Sequence, residues 1–158
     1  MRAFVSGQLK EKKRVRAVYS KLSEIGIDIS HDWTRTDNLI DYLKNADEAG
    51  RRAALDIRGI LDADIYILMT DNEFCGKGMY VELGAALALA EIKGAPEVCI
   101  VGPMNHESIF YHHPHANYFL DIESCLEHIH QTHIDTIRPN STVKIAKIAS
   151  GQRTLRRL

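Results

Sequence analysis

Two carboxylates carry the clearest chemical signal in this chain. Glu82 stands in the stretch Gly76-Lys77-Gly78-Met79-Tyr80-Val81-Glu82-Leu83-Gly84-Ala85-Ala86-Leu87-Ala88-Leu89, which follows the apolar run Ala63–Met69. Gly76 and Gly78 open a turn after that run. The residues beyond them are strong helix formers up to Lys93-Gly94, where a glycine can close a helix. Glu82 is expected in the first turn of this helix, where backbone N–H groups and the positive end of the dipole keep a carboxylate ionised. Asp56 lies on the preceding helix, eight residues ahead of Asp64. It reaches the same place only if that helix packs across the strand ends. Two acids at a sugar can divide the work, one as an ionised nucleophile and one as a protonated acid. The plainer alternatives are a Glu82 that only complements the dipole, and an Asp56 that is solvated or paired with Arg52 or Arg58.

Three further groups bear on chemistry. The loop Ser6-Gly7-Gln8-Leu9-Lys10 joins a strand to a helix, so its N–H groups can cradle a phosphate, with Lys10, Lys12, Lys13 and Arg14 supplying positive charge. It is neither a GxGxxG nor a Walker sequence. Trp33, the single tryptophan, stands beside Asp32 at a strand end. It can stack on a base whose edge Asp32 or Asp71 would bond, or simply anchor its loop. Histidines cluster late in the chain at His106, His112, His113, His115, His128, His130 and His133. His130-x-x-His133 has one-turn spacing, but no cysteine or acid completes a ligand set, so no metal and no cofactor is expected.

The elements that must position these groups alternate between strand and helix patterns. Strands are predicted at Ala3–Ser6, Ile27–Ile29, Asp64–Met69, Glu97–Val101 and Tyr118–Leu120. Helices are predicted over Leu9–Ile25 with Gly26 as a stop, over Asp37–Lys44, over Asp47–Leu61 with Ala53, Ile57, Ile60 and Leu61 on one face, and over Ile122–Ile134. Met104–Ala116 reads as irregular. Such alternation implies parallel βαβ units. The expected architecture is α/β, a flavodoxin-like or Rossmann-like open parallel five-stranded sheet with helices on both faces. Ligands of such sheets lie beyond the carboxyl ends of the strands, where the loops Ser6–Lys10, His31–Arg35, Thr70–Gly78 and Gly102–His106 would converge.

A length of 158 residues suits one domain, and 45% hydrophobic content suffices for a sizeable core. Residues 1–137 are expected to form that domain, with 138–158 a basic tail or helix carrying Lys144, Lys147, Arg153, Arg156 and Arg157. A net charge of −1 gives no pointer to nucleic acid or a membrane surface. No apolar run approaches the roughly 20 residues of a membrane span. The N-terminus is too short and mixed for a signal peptide. Cys75, Cys99 and Cys125, odd in number and widely spaced, fit a reducing cytoplasm better than a disulfide framework.

Phe4-Val5-Ser6-Gly7, then Asp56-Ile57 with Ala63-Asp64, then Gly78-Met79-Tyr80-Val81-Glu82-Leu83-Gly84 follow the order and approximate spacing of the nucleoside 2-deoxyribosyltransferase family, which includes the deoxynucleoside 5′-monophosphate N-glycosidases. The chain resembles this family over about residues 3–135. The resemblance implies a flavodoxin-like sheet, assembly into homodimers or higher homo-oligomers, and no metal. It implies that Glu82 attacks C1′ of a (deoxy)ribose and that Asp56 assists, as an acid toward the leaving base and by orienting the nucleophile. A covalent glycosyl-enzyme would then pass the sugar to water or another base. The family often carries a tyrosine against the nucleophile where this chain has Phe4. Its hydrolase branch places serine and arginine in the first loop, where this chain has Gln8-Leu9-Lys10. The resemblance further implies a residue lent by a neighbouring subunit, with Asn105 and Ser108 as candidates.

The combined expectation is cleavage of an N-glycosidic bond in a nucleoside or its 5′-monophosphate. Glu82 and Asp56 are the catalytic pair. Phe4, Ser6, Gly7, Gln8, Trp33, Asp71, Gly76, Gly78 and Ser108 form the substrate-binding set. The partner is a small-molecule nucleoside or nucleotide rather than nucleic acid or a membrane. A non-catalytic nucleotide-binding or sensing module, or a glycohydrolase of a larger nucleotide such as NAD, is the alternative.

Overall fold

The computed structural model of the chain describes residues 1–38, 41–70, 76–105 and 108–134. Its centre is a five-stranded, wholly parallel sheet of strands β1 (Arg2–Ser6), β2 (Asp28–Ile29), β3 (Ile65–Met69), β4 (Glu97–Val101) and β5 (Ala116–Phe119) in the order β2-β1-β3-β4-β5. That order is the flavodoxin-like one, with its switch point between β1 and β3. The expected fold class is therefore the observed one.

Four helices cover the two faces: α1 (Lys12–Glu24), α2 (Ala46–Leu61), α3 (Lys77–Lys93) and α4 (Ile122–Ile129). Successive residues of a strand point to opposite faces, and the core divides accordingly. Ala3, Val5, Ile65, Ile67 and Cys99 pack with Val15, Val18 and Leu22 of α1 and Cys125 and Ile129 of α4. Phe4, Tyr66, Leu68, Val98 and Ile100 pack with Ile60 of α2 and Met79, Leu83, Ala86, Leu87 and Ala90 of α3. β3 is buried along its whole length, as a central parallel strand must be. No helix among the described residues is long and apolar enough to cross a membrane.

Several boundaries differ from the sequence reading for local reasons. Leu9–Glu11 is a 3-10 turn with Leu9 exposed, so the α-helix starts only at Lys12. The helix expected over Asp37–Lys44 does not form among its described residues. Asp41 adopts a left-handed backbone at φ 57° and accepts from the Lys44 N–H, and helical structure begins at Ala46. Aspartates compete for backbone hydrogen bonds in this way. The last strand begins at Ala116 rather than Tyr118, within the segment read as irregular, because its register is set by Val98 pairing with Ala116. The last α-helix stops at Ile129 and loosens into a π-turn, His130–Ile134. Gly26 and Gly94 close α1 and α3 with positive φ of 78° and 72°, as expected. The basic tail, Asp71 and His106 lie outside the described residues.

The face of α2 also differs. Ile57 and Ile60 pack inward as expected, but Ala53 and Leu61 are exposed, and the inward side also takes in Arg52, Asp56 and Gly59. Gly59 makes this possible. A Cβ there would stand 2.6 Å from the His31 Cβ and 2.9 Å from the Phe4 ring, so α2 lies closer to β1 than any side chain would permit. Gly50, on the same helix, has nothing within 4 Å of the equivalent point. Gly59→Val is therefore expected to cost about 2–3 kcal/mol through overpacking. Gly50→Ala is expected to stabilise by up to about 1 kcal/mol through helix propensity. Urea unfolding of the two variants measures the contrast, and equal effects would refute the close-approach explanation.

Candidate active site

The site assembles at the carboxyl ends of β1 and β3. Ser6 ends β1, is fully buried, and turns toward the α2–α3 side of the sheet because Phe4, two residues earlier, does so. Its hydroxyl donates to Glu82 Oε2. Glu82 is the sixth residue of α3, in the second turn rather than the expected first. It therefore does not cap the helix, and the tendency to stay ionised does not hold. Burial raises its pKa from the ordinary 4.5 to about 7, the Ser6 hydrogen bond offsets part of that, and the nearby Asp56 charge adds to it. Gly78 lies one turn before it, and a Cβ there would come within 4.0 Å of Glu82 Oε1. Gly76 is the N-cap of α3 in extended conformation.

Asp56 does reach this place, because Gly59 brings α2 down onto β1. The Asp56 carboxyl is pushed above its ordinary range by burial, while His31 and Arg52 pull it back toward the charged form. His31 Nε2 stands 3.4 Å from Asp56 Oδ1. Arg52 is also held by Glu48 Oε1 at 2.7 Å. The two acids that the sequence singled out are thus neighbours with raised pKa values, an arrangement more typical of functional groups than of surface charges. The sequence reading missed His31. Its signal was its place in the loop after β2, one of the four expected to converge.

The remaining expected residues divide. Gly7 follows Ser6 and is another close approach, since a Cβ would stand 2.8 Å from the Val15 side chain of α1. Gln8 is half-buried beside it. Trp33 donates from Nε1 to the Val5 carbonyl at 2.8 Å and packs on both halves of the core, so it anchors the loop after β2. Asp32 caps that loop by accepting from the Thr34 N–H at 3.0 Å and from Arg35 Nε at 2.8 Å. Burial pushes its carboxyl up, but the hydrogen bonds from Thr34 and Arg35 outweigh this and hold it low. Phe4 is fully buried, its ring parallel to that of Tyr66 at 6.1 Å, and it lies under Gly59 as part of the core floor. Ser108 caps the 3-10 turn Ile109–His112 by accepting from the Phe110 N–H.

Two cations of the expected basic cluster are engaged with neighbours. Lys12 donates to the Thr36 carbonyl, and Arg14 pairs with Glu11 at 3.6 Å. Lys10 is exposed at the β1 end of the sheet. The histidines go elsewhere. His128 Nε2 meets Glu97 Oε1 at 2.6 Å and His133 Nε2 meets the other oxygen, at the start of β4 and so at the opposite end of the sheet from Ser6. Among the described residues no group of three or more metal-ligating side chains could hold a metal ion. Cys99 and Cys125 are free and buried.

No protein-family model matches the chain, and no curated protein matches it in sequence. The solved CMP N-glycosidase BcmB of Clostridium botulinum superposes with a TM-score of 0.53 at 16% identity, over 82% of this chain and 98% of that one. The two chains share a fold. The likeness is one of fold, reached with little sequence in common.

Proposed function

We propose that the protein cleaves the N-glycosidic bond of a nucleoside 5′-monophosphate or nucleoside, with Glu82 as nucleophile at C1′ and Asp56 as the acid toward the leaving base. The observation that carries this reading is the buried Glu82 carboxyl, held by the Ser6 hydroxyl and raised to about 7 next to a second acid that is itself raised. Each charge disfavours the other, so the pair resists ionising both carboxyls at once and can work as one carboxylate and one carboxylic acid, the division that glycoside chemistry uses. The fold shared with a CMP N-glycosidase supports the same class of substrate. The hydroxyl that positions the nucleophile comes from Ser6, which accounts for a chain with Phe4 at the family's tyrosine position. The loop Gly7–Lys10 would meet the sugar's 5′ end. Water or a second base would take the sugar from Glu82.

The deciding experiment incubates the protein with a panel of nucleosides and their 5′-monophosphates and follows free base by chromatography. A 2′-fluoro substrate analogue should leave a sugar adduct on Glu82 detectable by mass spectrometry. Nucleotide binding with no base released from any member would instead select a binding module.

Homodimerisation belongs to the same proposal. α3 is apolar almost all round, and such a helix is normally buried on every side. Yet Val81 is 65% and Ile92 78% exposed, and the 3-10 turn beyond β4 exposes Ile109 at 82% and Phe110 at 53%. A second copy covering this face accounts for the pattern. Light scattering should give twice the monomer mass, and Val81→Glu with Ile92→Glu should halve it. A wild-type monomer at high concentration would refute the dimer.

A further inference from the structure

The loop after β2 brings His31 against the acid rather than against the nucleophile. His31 Nε2 is 3.4 Å from Asp56 Oδ1, and both side chains are about a quarter exposed, at 24% and 28%. The contact is enforced from the backbone outward. The missing Cβ of Gly59 lets α2 approach closely, and the atoms nearest that point are the His31 Cβ and the Phe4 ring. The loop is pinned on its far side by the Trp33 bond to Val5 and by Arg16 donating to Thr34 Oγ1 at 2.9 Å. His31 is thus held on one side of Asp56 while Glu82 lies on another.

We propose that His31 is a positioning residue for the leaving-group acid: its Nε2 aims Asp56 and stays against the carboxylate that Asp56 becomes when its proton goes to the departing base. This rests on the reaction proposed above. In the first step the Glu82 oxygen bonds to C1′, the C1′–N bond breaks, its electron pair passes to the base nitrogen, and that nitrogen takes the proton of Asp56. A carboxylate and a carboxylic acid then become an ester and a carboxylate, so the negative charge passes from Glu82 to Asp56. The carboxylate is left in a partly buried place where an uncompensated charge is unfavourable. In the second step water attacks C1′, Asp56 takes its proton back from that water, and Glu82 leaves as carboxylate. His31 neither gives nor takes a proton in either step, so protons balance without a relay.

The groups that face Asp56 are His31 from the loop after β2, Arg52 one turn earlier on α2, and Glu82 from α3; Tyr19 of α1 lies within electrostatic reach. Arg52 is shared with Glu48, which has drawn its own carboxyl down by pairing with Arg51 and Arg52. His31 is therefore the partner of this acid that is not committed to a second carboxylate among the described contacts.

The test separates leaving-group assistance from mere structural support. Two substrates are compared, an ordinary purine nucleoside 5′-monophosphate and its N7-methylated form, whose base already carries positive charge and departs without a proton. His31→Gln keeps the approximate size and a donor but removes the imidazole ring held against Asp56. It should slow the ordinary substrate about tenfold in kcat, leave KM within about twofold, and leave the methylated substrate nearly unchanged. The alkaline limb of the pH–rate profile should move upward, because a group that pulls Asp56 toward its ionised form is gone. His31→Ala should show the same split, and turnover of the methylated substrate reports that each variant is folded. Equal slowing of both substrates, or no slowing of either, overturns the inference. A wild-type protein that releases base from neither substrate overturns the reaction itself, which is a different result.

Discussion

Replacing Glu82 by glutamine is expected to abolish base release and, in the same variant, to make the protein more stable above neutral pH. The first effect follows from covalent chemistry. An amide does not form the glycosyl ester, and loss of a nucleophile removes about 4 kcal/mol or more of barrier lowering, ~10³-fold in kcat. The second follows from burial. The folded protein holds the Glu82 proton with a pKa of about 7, against 4.5 for an ordinary glutamate. Between those two values the folded state binds more protons than the unfolded one, so stability falls as pH rises through that window. The full loss is about 3 kcal/mol above pH 7. Glutamine has no proton to lose, keeps the shape, and still accepts from Ser6. The variant should match the wild type at pH 4.5 and exceed it at pH 8.5 by ~5–10 °C in unfolding midpoint. Thermal melts at the two pH values, beside a base-release assay, read both effects. A variant that turns over normally ends the enzymatic account, and one that gains no stability at high pH shows that Glu82 is better solvated than its surroundings indicate.

The residues that set the fold were legible because they are repetitive. β3 and β4 are continuous apolar runs between turn signals, and α3 closes at Lys93-Gly94 as its composition implies. The residues that set the site were less so, for one physical reason. α2 shares its inward face between Ile57 and Ile60 and the residues Arg52, Asp56 and Gly59, positions where a purely structural helix would carry aliphatic side chains. An apolar-periodicity reading therefore turned the helix toward Ala53 and Leu61, and the same substitution of polar for apolar residues is what puts the acid beside Glu82. Glu82 was placed by its motif, but its charge state was not. A position near a helix start suggests a stabilised carboxylate, whereas the surrounding side chains, brought in from β1 and α2, decide the opposite. His31 carries no spacing signal at all, since its partner is on another element and meets it only through the missing Cβ of Gly59.

Asp56→Asn is the second large expected effect, and its pH dependence is its signature. Asparagine fills the same space and leaves no proton for the departing base, so release of an ordinary base should slow by ~10²–10⁴-fold at pH 7.5. Asp56 also raises the pKa of Glu82 through its charge. Removing it should let Glu82 ionise at lower pH, and the acid limb of kcat/KM should move downward from about 7. The two consequences oppose each other in acid. At pH 5.5 most wild-type Glu82 is protonated, while the variant has recovered part of its nucleophile, so the deficit should shrink there. A general acid that merely supported the fold would give a deficit independent of pH and of the leaving group. Asp56→Asn should instead act on an N7-methylated purine nucleotide far less than on the parent compound. His31→Gln should reproduce that leaving-group preference at about a tenth of the size or less, because it removes only the partner that positions the acid and not the acid itself. Combining the two substitutions should add nothing to Asp56→Asn alone, since a partner of the acid has no role once the acid is gone. An additive double variant would place His31 outside the proton-transfer step.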